Sequence, residues 1–117
     1  MCYNILMLIL LTKKADQEIL KKVAKDLDGY VKVVIDVKKR IMTAGGTKHV
    51  DGEQLLLSHD SRQEDLWGGG VDLETKAIDY DSMINIRSHQ DNPSREVLSP
   101  DIRKIMDDLI KNFLLNI

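Results

Sequence analysis

Aromatic residues are scarce in this sequence of 117 residues, at 4% of the composition. Because the chain has a single Phe, the side chains of Leu, Ile, Val and Met must fill most of its hydrophobic core. The only Trp, Trp67, lies between a charged segment and three consecutive glycines at 68–70. We expect Trp67 to close the core at one end of a sheet, while the glycines let the backbone pass close beside it.

Cysteine occurs once, at Cys2, so an intramolecular disulfide is excluded and a cytoplasmic location is favoured. Long hydrophobic runs are also missing. The longest, at 2–11, is about ten residues, half the length of a membrane-spanning helix. It also lacks the basic region and the cleavage site of a signal peptide. We interpret this run as a buried strand and expect no membrane partner.

Proline is rare too, with two residues, and the seven glycines are far fewer than in a low-complexity chain. Hydrophobic residues make up 43% of the sequence and charged residues 31%, which is typical of an ordinary globular protein. A chain of this length usually forms one domain, and the sequence contains neither an internal repeat nor a linker. The sequence therefore predicts a single domain over residues 1–117.

The common catalytic motifs are missing as well. The sequence has no P-loop, no Gly-x-Ser-x-Gly elbow, no His-Glu-x-x-His and no Cys-x-x-Cys. The triple glycine at 68–70 lacks the preceding strand and following helix of a dinucleotide site. It predicts a bulge or tight backbone packing instead. We expect no cofactor and no bound metal, and no enzyme class is indicated.

The net charge is small, at −2, but the two parts of the chain differ in sign. Residues 1–48 carry ten Lys and Arg against five Asp and Glu, whereas residues 49–117 carry seven against fourteen. The basic part offers a patch to nucleic acid, although no aromatic side chain is interleaved to stack on bases. The alternative is that these residues solvate a helix face and a turn. They are Lys13, Lys14, Lys21, Lys22, Lys25, Lys38, Lys39 and Arg40.

Two segments have the periodicity of amphipathic helices. The first has Thr12 or Asp16 as its N-cap and Gly29 beyond its C-terminus. The second begins with Ser99 as the N-cap and Pro100 at the first helical position, and a continuous apolar stripe follows. Both helices are expected to lay an apolar face on the sheet.

Period-two alternation and apolar runs predict the strands. The longest alternating run, 77–87, is typical of a strand with one core face and one solvated face. A polar turn at 49–53 leads into a strand of three consecutive Leu, and Ser61 with Glu64 fits a capping box for one helical turn. The predicted strands are 2–11, 31–37, 41–46, 53–60, 71–73 and 77–87.

These elements predict an α+β fold with two layers. Both amphipathic helices would lie on one face of a mostly antiparallel sheet of about five to six strands. A right-handed parallel crossover, from the first strand through the first helix to 31–37, would make that sheet mixed.

Three segments of the sequence carry a resemblance. They are GGTKHVDGEQLLL at 45–57, SRQEDLWG at 61–68 and INIRSHQDN at 84–92. The combination resembles an uncharacterised family of small bacterial and archaeal proteins with Gly-Gly-x-x-His, Ser-Arg-Gln-x-Asp-x-Trp-Gly and Ile-Asn-Ile-Arg segments in this order. The resemblance implies a prokaryotic protein with the fold of that family, and it implies no biochemical function.

One set of polar residues is predicted to converge at an end of the sheet. Asn85 and Arg87 would project from the solvated face of their strand, toward the segment before the neighbouring strand. An Arg guanidinium suits a carboxylate or a phosphate, so Arg62 and Arg87 are hypothetical anchors for an anionic small molecule or a partner protein. The alternative is a structural network in which either Arg pairs with a nearby carboxylate. The candidates are Arg62, Gln63, Asp65, Trp67, Asn85, Arg87 and His49.

His49 supports two further hypotheses. If 49–53 is extended, His49, Asp51 and Glu53 lie on one face and could ligate a divalent metal. The alternative for this segment is a polar reverse turn that needs no metal. A small hydrolase could use His49 with Asp51 or Asp65 as acid and base. Because no spacing matches a known catalytic or metal motif, the binding interpretation is preferred.

Overall fold

The computed structural model describes residues 8–117 and contains a five-stranded antiparallel sheet. The spatial order of its strands is β1-β3-β2-β4-β5. Three helices complete an α+β fold, so the predicted fold class is confirmed. The strands are β1 (Ile9–Leu11), β2 (Tyr30–Asp36), β3 (Ile41–Ala44), β4 (Leu66–Asp72) and β5 (Ile78–Asp79). The helices are α1 (Gln17–Val23), α2 (His49–Leu57) and α3 (Pro100–Ile110), and a five-residue π turn, Lys111–Leu115, follows α3.

The two faces of the sheet pack against different helices. On the first face, Val31, Val33 and Ile35 of β2 join the main core together with residues of α1 and α3. The two predicted helices thus share one face. On the second face, Val34 packs in a smaller cluster with Leu56 of α2. Because side chains alternate along a strand, β2 contributes to both cores.

Local signals explain where the two predicted helices begin. Asp16 is the N-cap of α1, and its carboxylate accepts a hydrogen bond from the Ile19 amide at 2.8 Å. Ser99 caps α3 in the same way, with Pro100 at the first helical position. After α1, turns lead to Gly29, whose φ of +97° favours glycine, and β2 begins at the next residue.

The prediction of a strand at 53–60 is wrong, because α2 occupies this part of the chain. A short run of Leu is compatible with either a strand or a buried helix, and tertiary packing decides between them. Gly52 lies so close to the sheet that a Cβ there would be 2.4 Å from Thr43 Oγ1 and 3.0 Å from Val34 Cγ2. This glycine lets the helix rest on the second face. The predicted turn at 49–53 is therefore the first part of a helix.

The prediction of a long strand at 77–87 is also wrong. Only Ile78–Asp79 is a strand, and the chain then forms a short 3₁₀ turn at Met83–Asn85. The side chain of Asn85 replaces a strand partner for β4. Its Oδ1 accepts from the Gly68 amide at 2.8 Å, and its Nδ2 donates to the Gly68 carbonyl at 2.9 Å. Alternation of apolar residues could not predict this pairing, because the partner of the Gly68 backbone is a side-chain amide and not a neighbouring strand.

The strand β1 pairs with β3 in antiparallel register, with Ile9 opposite Ala44. Because β1 and β2 are both antiparallel to β3, they run parallel to each other with β3 between them. The predicted crossover through α1 therefore joins two parallel strands, but the sheet is not mixed, since every pair of neighbouring strands is antiparallel. Residues 2–7 of the predicted first strand lie outside the described residues. From residue 8 onward, none of the helices has the length and apolar character needed to cross a membrane.

Candidate functional site

A cleft of about 640 Å³ opens on the second face of the sheet. Its floor is the middle of β4, where Gly68 and Gly70 present no side chain. The walls come from β2, from the start of α2 and from the segment after β5. We call this space the glycine cleft. Its polar lining includes the side chains of Tyr30, Lys32, His49, Asp79, Asp81 and Ser82.

Close neighbours explain the glycines of the floor. A Cβ on Gly70 would lie 1.9 Å from the hydroxyl oxygen of Tyr30, and one on Gly68 would lie 2.7 Å from the Cβ of Ser82. Neither position can hold a side chain unless its neighbour moves. Gly69 points to the first face, where a Cβ would lie 2.4 Å from a backbone oxygen of β5. Of the two sequence alternatives for these glycines, the structure supports tight backbone packing.

Opposite charges flank the floor in one row across three strands. Lys32 of β2 is opposite Gly70 of β4, and Gly70 is opposite Asp79 of β5. Directly opposed residues share a face of the sheet. The hydroxyl of Tyr30 lies over Gly70 and donates a hydrogen bond to Asp79 Oδ2 at 2.5 Å. Lys32 and Asp79 are thus separated by a glycine with a tyrosine hydroxyl above it.

His49, the first residue of α2, lines the wall that this helix forms and contacts the floor of the cleft. Its Nε2 donates a hydrogen bond to the Gly69 carbonyl at 2.7 Å, which leaves a lone pair on Nδ1 of the neutral ring. Burial lowers the pKa of His49. The hydrogen bond to Gly69 opposes this shift, Lys32 adds to it, and Asp79 and Asp81 oppose it. The net lowering keeps the imidazole neutral at about pH 7.

Tyr30 and Asp81 complete the polar lining. Burial raises the pKa of Tyr30, and the hydrogen bond to Asp79 raises it further, so the Tyr30 hydroxyl stays protonated and remains a donor. Asp81 forms an ion pair with Arg95 at 3.0 Å. The cleft therefore presents a neutral imidazole, a phenol, one carboxylate bonded to that phenol and one carboxylate paired with a cation.

The predicted anchor Arg87 lies beside the first residues of β4, Leu66 and Trp67. Arg87 is only 4% exposed, and its guanidinium donates to the Gln63 carbonyl at 2.6 Å and to the Leu66 carbonyl. It also donates to the Gln90 side chain at 3.1 Å. The guanidinium carbon lies 4.0 Å from the centre of the Trp67 ring. We call this cluster of Arg87, Gln63, Leu66, Trp67 and Gln90 the arginine end.

The donors of Arg87 are largely used within the protein. Burial lowers the pKa of Arg87, and the charge of Glu53 on α2 opposes that shift. Arg87 Nε and Glu53 Oε2 are buried and have no hydrogen-bond partner in the described part of the chain. Because both Nη atoms are bonded to backbone carbonyls, little capacity is left for a ligand. The geometry favours a structural role for Arg87 over the anchor hypothesis, with backbone carbonyls in place of the carboxylate partner that the structural network predicted.

The remaining candidates near the arginine end are structural or exposed. Trp67 is 3% exposed and packs in the main core. Arg62 is exposed and forms an ion pair with the exposed Glu64 at 3.3 Å. Gln63 and Asp65 belong to a short 3₁₀ turn, Gln63–Asp65, which agrees with the single helical turn predicted here. None of these four candidates lines the glycine cleft.

Two details of the predicted network differ in the structure. The capping box is absent: Arg62 is the N-cap of the 3₁₀ turn, and Ser61 Oγ donates to Asp36 Oδ2 at 2.7 Å instead. Asn85 is completely buried, and its Nδ2 also donates to the carbonyls of Tyr80 and Arg95. All the polar atoms of the Asn85 side chain are therefore satisfied by the backbone.

The metal hypothesis for His49, Asp51 and Glu53 requires an extended segment, and this segment is helical. In a helix His49 and Glu53 share a face, whereas Asp51 lies on another. Over residues 8–117, no group of three His, Cys, Asp or Glu side chains is placed to hold a metal ion. The extended geometry that the metal hypothesis requires is therefore not found in this segment.

The fold and the cleft define a small antiparallel α+β domain with a polar cleft on the second face of its sheet. The chain belongs to the family described as Protein of unknown function (DUF5674), which matches residues 9–113. The expectation that the chain belongs to a family without an assigned function is thereby confirmed. No curated protein and no solved structure matches the chain.

Sequence reasoning found one residue of the glycine cleft, His49, and missed the others. Tyr30 and Lys32 of β2 lie far from Asp79 in sequence, and they meet it only through the register of three strands. The available signal was the triple glycine itself. Glycines at alternate positions of a strand leave one face of the sheet without side chains, and this creates space for a cleft.

Proposed function

We propose that the protein binds a small anionic molecule in the glycine cleft, with Lys32 as the main cationic contact. The position of Lys32 supports this most directly. Its side chain is partly buried and lines the cleft, and no carboxylate in the described chain forms an ion pair with it. Partial burial weakens the hydration of an unpaired ammonium group, and a bound anion would compensate for that loss.

Neighbouring groups reinforce the preference for an anion. Lys48, the N-cap residue of α2, also lines the cleft. Since His49 and Val50 also line the cleft, the N-terminus of α2, with its partial positive charge, lies at the wall of the cleft. Since His49 is neutral, its Nδ1 can accept a hydrogen bond from a hydroxyl of the ligand.

This proposal keeps the ligand class that the sequence indicated and changes the anchors. The sequence suggested Arg62 and Arg87, but Arg87 is bonded to backbone carbonyls and Arg62 lies on an exposed turn. The cytoplasmic location remains part of the proposal, because the single cysteine is typical of proteins from reducing compartments.

The alternative functions have less geometric support. A hydrolase with His49 and either Asp51 or Asp65 would need one of these carboxylates in the cleft, and neither lines it. The basic part of the chain has no interleaved aromatic side chain to stack on bases. Two of its basic residues also bond to backbone carbonyls: Lys39 donates to the Asp60 carbonyl at 2.9 Å, and Arg40 donates to the Val37 carbonyl at 3.1 Å.

Isothermal titration calorimetry with inorganic phosphate, acetate and citrate tests the proposal. At least one of these anions should bind the native protein, and Lys32→Met should weaken that binding at least about tenfold, which is about 1.4 kcal/mol. The matched control is Lys22→Met, because Lys22 is exposed on α1, across the sheet from the cleft. If none of the anions binds, or if both variants lose affinity equally, the proposal is wrong.

A further inference from the structure

The glycine cleft contains a negative charge, the carboxylate of Asp79, that an anionic ligand would not neutralise. The Cα atoms of Lys32 and Asp79 lie two strand spacings apart across Gly70, which is roughly 10 Å. The Tyr30 hydroxyl occupies the space over Gly70 and is bonded to Asp79. The floor is therefore dipolar, with its positive side on β2 and its negative side on β5.

Asp79 still has acceptor capacity. Its Oδ2 accepts from the Tyr30 hydroxyl and its Oδ1 accepts from the Asp81 amide at 3.1 Å. Both donors are neutral, and a carboxylate offers about four acceptor positions. The other carboxylates of the lining have cationic partners: Asp81 pairs with Arg95, and Glu96 pairs with Arg103 at 3.2 Å.

An apolar rim lies beside the dipolar floor. Val50 at the start of α2 is 45% exposed, and Met83 in the segment after β5 is 65% exposed. Both side chains line the cleft from opposite walls. A ligand that reaches the charged floor would therefore place an apolar part between these two residues.

We propose that the ligand of the glycine cleft is a zwitterion of the α-amino acid type, with its carboxylate at Lys32, its ammonium group at Asp79 and its side chain at the rim. This inference rests on the proposed function and adds the second charge. A purely anionic ligand would gain from Lys32 but would be repelled by Asp79. A zwitterion satisfies both charges, and its desolvation is compensated at both ends.

The test compares three ligands that share one apolar group: leucine, 4-methylpentanoate, which lacks the amine, and 3-methylbutylamine, which lacks the carboxylate. The remaining proteinogenic amino acids are titrated in parallel. At least one amino acid should bind the native protein at least tenfold more tightly than its deaminated analogue, about 1.4 kcal/mol. Asp79→Asn, which keeps an oxygen that accepts from Tyr30, should abolish that advantage. Asp101→Asn, on the exposed first turn of α3, should preserve it.

The outcomes separate this inference from the proposed function. If the deaminated analogues bind as tightly as the amino acids, the cleft is an anion site and the zwitterion inference is overturned. The same conclusion follows if no amino acid binds while an inorganic or organic anion still binds through Lys32. If neither amino acids nor anions bind, both the inference and the proposed function are overturned.

Discussion

The first residues of β4 and its central glycines organise polar groups by opposite means. At the arginine end, one large cation and one large aromatic ring are buried together, and the cation is bonded to backbone carbonyls. At the glycine cleft, β4 itself contributes no side chains, and polar groups from three other segments surround the resulting space. The most conspicuous residues of the sequence thus stabilise the fold, and the least conspicuous ones form the candidate site.

This difference follows from hydrogen-bonding capacity. A guanidinium in the interior needs partners for its donors, and both Nη atoms of Arg87 find them in the backbone carbonyls of Gln63 and Leu66, whereas its Nε has none in the described chain. A glycine has no side chain, so it needs no side-chain hydrogen-bond partner and leaves the space beside the strand to other residues. We therefore expect mutations at the arginine end to cost more stability than mutations in the glycine cleft, and ligand binding to be weakened only by mutations in the cleft.

The largest expected effect is that of Trp67→Ala at the arginine end. This change removes a nearly fully buried ring from the main core and the aromatic face on which Arg87 packs. Truncation of a buried Trp costs about 3–5 kcal/mol, so the domain should be severely destabilised or unfolded in urea titrations. Native Trp67 fluorescence should be blue-shifted. A variant as stable as the parent, with emission typical of an exposed indole, would contradict the structural role.

A smaller loss of stability is expected from Gly70→Ala in the glycine cleft. The new Cβ would overlap with the Tyr30 hydroxyl, and overpacking of this kind costs about 1–3 kcal/mol. The double variant with Tyr30→Ala provides the control. Since the obstructing ring is then absent, Gly70→Ala should cost clearly less in that background. Equal costs in the two backgrounds, measured by chemical unfolding, would show that the Tyr30 contact does not explain the glycine.

The stability of the cleft should also depend on pH through His49. Its pKa lies below the usual 6.5 in the folded state, so the unfolded state takes up a proton first as the pH falls. The stability that a neutral His49 contributes is therefore fully present above about pH 6.5, and it is lost as the pH falls toward the lowered pKa of the folded state. His49→Gln should lose less stability than the native protein between about pH 7 and pH 5.

The control for this measurement is His59→Gln, because His59 is exposed and lies outside the cleft. This variant should follow the pH dependence of the native protein. If His49→Gln shows the same dependence as the native protein, the account of His49 as a buried neutral group is wrong.

The smallest effect is expected for Arg62→Ala. The side chains of Arg62 and Glu64 are 67% and 59% exposed, and such surface pairs contribute about 0.2–1 kcal/mol or less. Thermal unfolding should therefore detect almost no change, and the affinity for an anion should be preserved. A large loss of affinity would support Arg62 as an anchor and would remove the contrast between the arginine end and the glycine cleft.

Much of the fold could be predicted because its signals are local. The N-cap at Ser99 and the proline after it specify α3, and the alternation around Val33 specifies β2. The segment His49–Leu57 could not be assigned in this way, since its helical state depends on the contact between Gly52 and Thr43. That contact joins parts of the chain which no local pattern relates.

The candidate site was less predictable than the fold. Lys32 and Asp79 read as ordinary solvent-facing positions of strands, and their relation depends on the register with Gly70. Arg87 was singled out because guanidinium groups often bind anions, but a sequence does not show whether its donors are already used. Arg87, the strongest candidate anchor in the sequence, donates its hydrogen bonds to backbone carbonyls inside the protein.

The most direct test of the account is an amide NMR map of the native protein titrated with inorganic phosphate. If the glycine cleft is the binding site, the largest chemical-shift changes should fall on Lys32, His49 and Gly68 to Gly70, and Lys32→Met should abolish them. The arginine end should change little. The account would be contradicted if the largest changes fell on Arg62, Gln63 and Arg87 and persisted in Lys32→Met.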